Sequence, residues 1–470
     1  MAEWGFTVRE KVLRDESSKL DVIIVGAGLG GLGAAISVLL AGHNVTVLEA
    51  ASEIGEVGAG IQVLPNSAKT LFSWGLKEHL EQYATKPRKC NFIGWKGNHL
   101  SSMDYYAYAQ ASGAPFWDFH RANLHKCLLD RAIELGASII TKASVLDLAV
   151  SDDQLSATVT LKDGRQMEAD LVVGADGINS TLREIFLGHP DPPVLTGDLA
   201  YRLLLDTDAM RDDEDLKSFI EEPQVNYWLG PDAHAVNYVL KGGKQFNMVL
   251  LVPDDIPPGP NTVAGNVDEM QAYFKDWDPR ISKLTALCKE VQKWRLCIRP
   301  GLEPTWSHPS GTFTLLGDAV HATLPYLASG AGMALEDGGV LGLCLARITD
   351  KTPASKRAAL DVYEACRRER TEKVVKRGSY NQWMYHLHDG DEQRDRDAKL
   401  KEFERKDEEW LSQPGFSLPE SLETGDDPFP WRYHGVARWL LTYDIDKDVE
   451  TGWQNWGKRN EGSVTERANL

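Results

Sequence analysis

The first clear pattern along the chain is a short apolar run, Asp21–Val25 (DVIIV), bounded by polar text and glycine. A continuous β-branched run of this length predicts a parallel strand buried on both faces. Gly26-Ala-Gly28-Leu-Gly-Gly31 follows, and then alanine- and leucine-rich helical text to about Ala41. A second apolar strand, Asn44–Leu48, ends at Glu49. Residues 1–20 carry mixed charges and few apolar positions, and read as a polar N-terminal extension.

Beyond this unit the period changes several times. Residues 85–118 are aromatic-rich with no clear period, whereas 122–135 return to helical spacing closed by Gly136, a residue suited to a left-handed C-cap. Strand-like alternation flanks a turn at Lys162-Asp-Gly164, and an apolar strand covers 171–173. From 186 to 300, strands such as 201–205, 235–240 and 247–252 alternate with proline- and glycine-rich loops, as in a mixed or antiparallel sheet. Phe313-Thr-Leu-Leu restores buried-strand character, and long helical text runs from 331 to about 376. The densely charged 389–410 segment reads as a solvated helix. Six of the fourteen tryptophans lie from Trp383 onward, so the tail is expected to fold back onto the body.

The expected organisation is therefore α/β with α+β inserts. A discontinuous dinucleotide-binding domain takes 21–84, 119–185 and 301–345. A mixed-sheet domain takes 85–118 and 186–300, and a helical C-terminal region takes 346–470.

Composition narrows the function. With 51 basic and 69 acidic residues the net charge is −18, which argues against a nucleic-acid binder. Six cysteines without a C-x-x-C pair predict neither a disulfide framework nor a metal site. The N-terminus does not read as a signal peptide, and apolar runs stop short of a membrane span, so a cytoplasmic protein is expected. Oligomeric state, a homodimer included, stays open.

The glycine text has the context that gives it meaning: a strand before, a helix after, and an acidic residue ending the next strand. Gly26 permits the tight turn. Gly28 lets backbone amides approach a pyrophosphate, and Gly31 lets helix and sheet pack closely. Glu49 is placed to accept from ribose hydroxyls. The alternative is a glycine-rich turn with no ligand, and the pattern alone does not distinguish NAD from FAD.

Two later stretches bear on that choice: Asp170-Leu-Val-Val-Gly-Ala-Asp176-Gly177-Ile-Asn-Ser180, and Gly317-Asp318-Ala-Val-His321-Ala-Thr-Leu-Pro325-Tyr-Leu-Ala-Ser-Gly330-Ala-Gly332. Together with the glycine text they resemble the single-component FAD-dependent aromatic hydroxylases, the para-hydroxybenzoate hydroxylase type. Gly58-Ala-Gly60-Ile-Gln62-Val-Leu-Pro65-Asn66 and Gly332-Met-Ala-Leu-Glu336-Asp337 look most like the fungal salicylate-hydroxylase-like members. The resemblance covers about 21–376. It implies a Rossmann-like FAD-binding domain, noncovalent FAD, and NADH or NADPH as a transient co-substrate.

The resemblance also implies residue roles. Asp318 would bond the ribityl chain, and Gly330, Ala331 and Gly332 would open a helix facing the flavin pyrimidine edge. Pro325 would shape the wall beside the oxygen-reactive carbon. Gly60 belongs to the same cofactor set. Arg121 would reach the pyrophosphate, with an ordinary surface arginine as the alternative. Asp176 would serve the flavin and the nicotinamide, although Asp-Gly also makes tight turns unaided. Ser329-Gly330-Ala331-Gly332 departs from the family's usual glutamine-containing loop, which affects the amide contacts expected there. Arg183 and His321 read as structural.

On the substrate side, His234 and Tyr238 lie four apart, on one face if the segment is a strand. The resemblance makes them candidates for activating a phenol. A packed strand pair is the alternative. Arg202 suits a phenolate or carboxylate, or else a sheet-edge ion pair. Gln62 and Asn66 are further candidates at the flavin or substrate edge. The resulting expectation is hydroxylation of a small phenol, a hydroxybenzoate above all, using NAD(P)H and O2 through a flavin hydroperoxide, with decarboxylation in salicylate-hydroxylase-like members. A hydroxylase, dearomatase or epoxidase of a fungal secondary metabolite is the alternative, followed by a flavin reductase or dehydrogenase without oxygen insertion.

Overall fold

The computed structural model describes residues 4–55, 59–421 and 423–467. Gly58 of the motif above, the first three residues of the expected extension and the last three of the C-terminal region lie outside the described residues. Asp21–Val25 is the central strand of a five-stranded parallel sheet. Its spatial order is Phe313–Leu315, Leu171–Gly174, Asp21–Val25, Asn44–Leu48, Ser138–Ile140. The strands are short and apolar because the sheet lies inside the largest hydrophobic cluster of the chain.

The helix after the glycine turn, Leu29–Leu40, is buried almost all round, because Gly330–Leu345 packs along it. Gly338 and Gly342 sit one turn apart at that contact. A Cβ on Gly338 would lie 2.5 Å from the Ala34 nitrogen, so the close crossing requires glycine there.

A second sheet has eight strands. Its order is Thr262–Ala264, Gln292–Ile298, Val194–Asp206, Gln245–Pro253, Ala233–Leu240, Gln224–Gly230, Lys89–Gly94, His99–Asp104. Every neighbouring pair is antiparallel except Gln224–Gly230 with Lys89–Gly94. Two strands of this sheet and the helix Tyr105–Ser112 come from the stretch that showed no period. Lys89–Gly94 is buried along nearly its whole length, which removes the alternation that would have marked a half-buried strand. Trp117–His120 leaves that stretch to pair with Gly60–Val63 in a small antiparallel ribbon.

The structure refines three other expectations. The long helical text resolves into two helices, Gly330–Leu345 and Pro353–Tyr385. Pro353 opens the second, and Thr352 caps it by accepting from the Ser355 N–H. The charged helix, Asp391–Leu411, is not wholly solvated: Arg396, Leu400 and Asp407 are buried. It lies over the edge strand His99–Asp104, where the Leu400 carbonyl accepts from the Ser101 hydroxyl and Glu404 from the Ser102 N–H. The polar extension forms no helix or strand over residues 4–20, yet it is strapped down. Val12 N–H donates to the Leu40 carbonyl, Arg14 donates to the Leu345 carbonyl, and Phe6 packs edge-on against Phe72.

The tail does fold back. Trp431 is fully buried and donates from its ring N–H to the Leu327 carbonyl, while Trp383 stays half exposed. No helix among the described residues is long and apolar enough to cross a membrane.

Candidate active site

Turns that follow strands of the parallel sheet and side chains of the eight-stranded sheet line one cavity of about 410 Å³. One wall is backbone from the parallel sheet's C-terminal ends: Gly28–Gly30, Gly317 and Asp318, and the segment from Pro325 to Ala331. The other wall is side chains of the eight-stranded sheet. Register explains which ones. Tyr227 pairs with Val236, Val236 with Val249, and Val249 with Arg202. Cross-strand partners stand side by side on one face, so these four residues form a row, and all four line the cavity. Tyr238 lies two residues beyond Val236 on the same face and lines it too.

The glycine turn does what its residue types require. Gly26 has φ +108, and a Cβ there would sit 2.3 Å from the Ala175 carbonyl oxygen. A Cβ on Gly31 would lie 2.0 Å from the Gly26 oxygen, so Gly31 serves helix–turn packing and not the cavity itself. At Gly28 a Cβ would meet nothing within 4 Å, because that position opens into the cavity. The Glu49 carboxylate accepts from the Ala27 N–H (2.9 Å) and the Ala51 N–H (2.8 Å), which fixes it against the turn. His125, which the sequence reading passed over, bonds the Ala27 carbonyl oxygen at 2.7 Å from the other side.

Two helices, Leu29–Leu40 and Gly330–Leu345, begin at this cavity, and neither has a side-chain cap at its N-terminus. Uncapped N–H groups and the positive ends of two helix dipoles therefore converge on one space, a setting for an anionic ligand. Asp318 stands exposed to that space, and the surrounding protein raises its carboxyl above the ordinary range. Arg121 also lines the cavity, at the first position of the helix Arg121–Leu135. This donor set fits a dinucleotide: amides for phosphates, carboxylates for ribose and ribityl hydroxyls, and a guanidinium for the pyrophosphate.

Of the other cofactor candidates, Gly60, Pro325, Gly330 and Ala331 line the cavity. Gly332 does not, and packs against Ser67. Asp176 turns away. Its carboxylate accepts from the Ser180 hydroxyl (2.6 Å) and the Leu182 N–H (3.0 Å), holding the start of the next helix, while Ala175 and Gly177 line the cavity by their backbone.

The substrate-side candidates separate. Tyr238 is buried at the cavity wall, against Gly60. Burial pushes its hydroxyl well above the ordinary tyrosine range, so it meets a ligand as a protonated donor and not as a base. Arg202 stacks on Trp294 at 4.7 Å. Burial, then the nearby Arg121 guanidinium, lower its pKa. His234 shares the strand face but lies about 13 Å further along it. It is 1% exposed, bonds His386 at 2.7 Å and packs against Tyr326 and Tyr385, outside the cavity lining. The one-face geometry was right, but four residues of strand carry the two side chains too far apart to serve one small ring.

Behind the Gly317–Asp318 turn lies a polar cluster that the sequence did not reveal. Asp337 accepts from the Gly317 N–H (2.9 Å), from Arg367 (2.8 Å) and bonds His321 (2.6 Å). Burial opposes its charge, but His321 and Arg367 hold the carboxyl down to about 2. Glu336 next to it binds Arg367, Arg370 and Asn66. Arg370 also donates to the Trp439 and Leu440 carbonyls of the C-terminal region. Asn66, a candidate for the flavin edge, gives its NH2 to Glu336, while its buried Oδ1 has no partner among the described residues. Arg183 is structural, donating to the Ala319, Val320 and Gly301 carbonyls. Tyr227, Asn247 and Asp118 were also missed. Asn247 accepts from the Gly60 N–H at 2.8 Å and so sets the backbone of the cavity floor.

Residues 19–378 match the family described as "FAD binding domain". Among curated proteins the chain is 39% identical to the FAD-dependent monooxygenase OpS4 of Beauveria bassiana (strain ARSEF 2860), over 84% of this chain and 92% of that one. It is 33% identical to a 3-hydroxybenzoate 6-hydroxylase of Polaromonas naphthalenivorans (strain CJ2), over 77% of this chain and 87% of that one. Among solved structures, a salicylate hydroxylase substrate complex superposes with a TM-score of 0.72 at 24% identity, covering 93% of this chain and 98% of that one.

Proposed function

Since the chain belongs to the FAD-binding-domain family and is an FAD-dependent aromatic monooxygenase, we propose that it hydroxylates a carboxylated phenol of the hydroxybenzoate class with NAD(P)H and O2. FAD, when bound, supplies hydride acceptance from the nicotinamide and activation of dioxygen. The chain's own residues supply the rest. Gly28, the two uncapped helix starts, Glu49, Arg121 and Asp318 would hold the cofactor along the backbone wall. The eight-stranded sheet would hold the substrate.

The observation that carries this reading is the row of side chains facing the backbone wall. Arg202 and Tyr238 stand on one sheet face, separated by valines, opposite the Pro325–Ala331 segment. A small ring would lie on Val236 and Val249. Arg202 would pair with its carboxylate, and the protonated Tyr238 would donate to its phenolic oxygen. That donation stabilises phenolate character as the ring attacks the activated oxygen, and the walls keep water from the same space. Where attack falls on the ring carbon that itself bears the carboxylate, the new C–O bond would replace the C–C bond to the carboxylate, which leaves as CO2.

The test is NAD(P)H consumption in air by purified protein with a panel of hydroxybenzoates, with products identified by mass spectrometry. Oxidation stimulated by a hydroxybenzoate, with a product gaining oxygen, supports the reading. Oxidation indifferent to every aromatic would favour the reductase alternative.

A further inference from the structure

Asp118 is a buried acid that the chemistry above does not use. It sits in Trp117–His120, directly opposite Gln62 in the paired strand Gly60–Val63. It is 1% exposed. One oxygen, Oδ1, accepts from the Gln62 side-chain amide at 3.2 Å. The other, Oδ2, has no hydrogen-bond partner among the described residues. Gln62 in turn accepts, through Oε1, from the Tyr227 hydroxyl at 3.4 Å. Both Gln62 and Tyr227 line the cavity, and Asp118 does not.

A glutamine amide presents a donor end and an acceptor end of nearly equal size, so its orientation is set by its partners. Here the acceptor Asp118 draws the NH2 end inward and leaves Oε1 toward Tyr227. Tyr227 has one proton, and donating it to Oε1 leaves its oxygen lone pairs facing the cavity. Were the amide reversed, Tyr227 would accept from it and turn its own proton toward the ligand.

We propose that Asp118 is a positioning residue that fixes the Gln62 amide, and through it makes Tyr227 a hydrogen-bond acceptor, so that the cavity selects an aromatic ring bearing a donor substituent at that point. This rests on the hydroxylase reading and sharpens it. A hydroxyl or amino group on the ring would be favoured there over a methoxy or second carboxylate group.

The surroundings favour a neutral acid. The titratable side chains that feel Asp118 are Cys90, Tyr105, Tyr227 and Tyr238, each uncharged at neutral pH. No lysine, arginine or histidine among the described residues pairs with it. Burial pushes its carboxyl up to about 8, against the hydrogen bond from Gln62. With its proton on Oδ2, the oxygen without a partner, a neutral carboxyl still offers Oδ1 as the acceptor that Gln62 needs.

The experiment compares holoenzyme of the wild type, Asp118→Asn and Asp118→Leu. Dissociation constants for hydroxybenzoates and their methoxy analogues are read from the absorbance change of the bound flavin. Asn keeps an acceptor for Gln62 and should retain the hydroxy-over-methoxy preference. Leu removes it and should lower that preference about tenfold, the worth of one hydrogen bond, with flavin content unchanged. An unaltered preference in the Leu variant overturns the proposal. Should wild-type protein bind none of these compounds, the hydroxylase reading fails, and Asp118 is judged on the ligand-free holoenzyme. A shift in the flavin absorbance spectrum in Asp118→Leu that Asp118→Asn does not show supports its hold on the cavity, and identical spectra in all three proteins overturn it. If Asp118→Leu does not fold, Asp118→Ala takes its place with the same two readings.

Discussion

Replacing Arg202 with methionine should weaken ligand binding while leaving the fold intact. The two effects separate because of what surrounds the guanidinium. The groups that act on its charge are Arg121, which repels it, and Tyr238; its packing partner is Trp294. No carboxylate among the described residues forms an ion pair with it. Loss of the stacking on Trp294 costs about 0.5–2 kcal/mol. Relief of the burial penalty and of the repulsion by Arg121 offsets part of that, and methionine keeps the apolar stem. The net change in stability should stay within about 1 kcal/mol. A structural ion pair of similar burial would instead cost about 3–5 kcal/mol when broken. Binding tells the opposite story. Hydrogen bonds to a charged group contribute about 1.5–3 kcal/mol, so affinity for a carboxylated phenol should fall roughly ten- to 150-fold. The assay is flavin absorbance titrated with salicylate and with phenol itself, beside thermal unfolding of the same preparations. Equal losses for both ligands, or a large fall in melting temperature with affinity intact, would refute the reasoning.

Three further outcomes are expected. Tyr238→Phe should keep its FAD but hydroxylate about ten- to a hundredfold more slowly, with more hydrogen peroxide formed per NAD(P)H; wild-type product yield would mean that the hydroxyl serves only packing. Asp318→Ala should bind FAD roughly ten- to a hundredfold more weakly while unfolding at nearly the wild-type temperature as apoprotein, because its carboxylate faces the cavity. For Asp118 the linkage sign is unfavourable: its folded pKa, about 8, lies above the ordinary 3.8, so from about pH 4 to 8 the folded chain holds a proton that the unfolded chain releases. That contribution lowers stability as pH rises through this window, so Asp118→Asn should gain in melting temperature over wild type between pH 5 and 8, and a constant difference would contradict it.

What the sequence made legible was what local geometry dictates. Gly26 and Gly31 were readable because a backbone carbonyl occupies the place of a side chain at each. Tyr238 was singled out by the family resemblance and the strand face it shares with His234, and Arg202 by a residue type suited to a carboxylate; the register stands both on one face of the sheet. His234 went astray because period gives a face but not a reach along the strand. Asp176 looked like a ligand contact, yet its carboxylate closes the turn that runs from Asp176 to Leu182. Tyr227, Asp118 and Asp337 carried no signal: each acquires its role from a partner more than sixteen positions away or from an element that no spacing rule connects to it.

The carboxylate pair Glu336–Asp337 joins two distant parts of the chain through rigid, fully buried contacts. One end holds the Gly317 N–H beside Asp318, and the other reaches, through Arg370, the Trp439 and Leu440 carbonyls. Whatever orders the Gly317 turn must then share its free energy with docking of the tail, and the sharing is mutual. Cofactor binding and tail docking are in this sense two ligations of one cluster: filling the cavity should slow proteolytic release of the C-terminal segment, and clipping that segment should loosen the cofactor, both through this cluster and through Trp431, which packs on Tyr227 of the cavity wall at 5.5 Å.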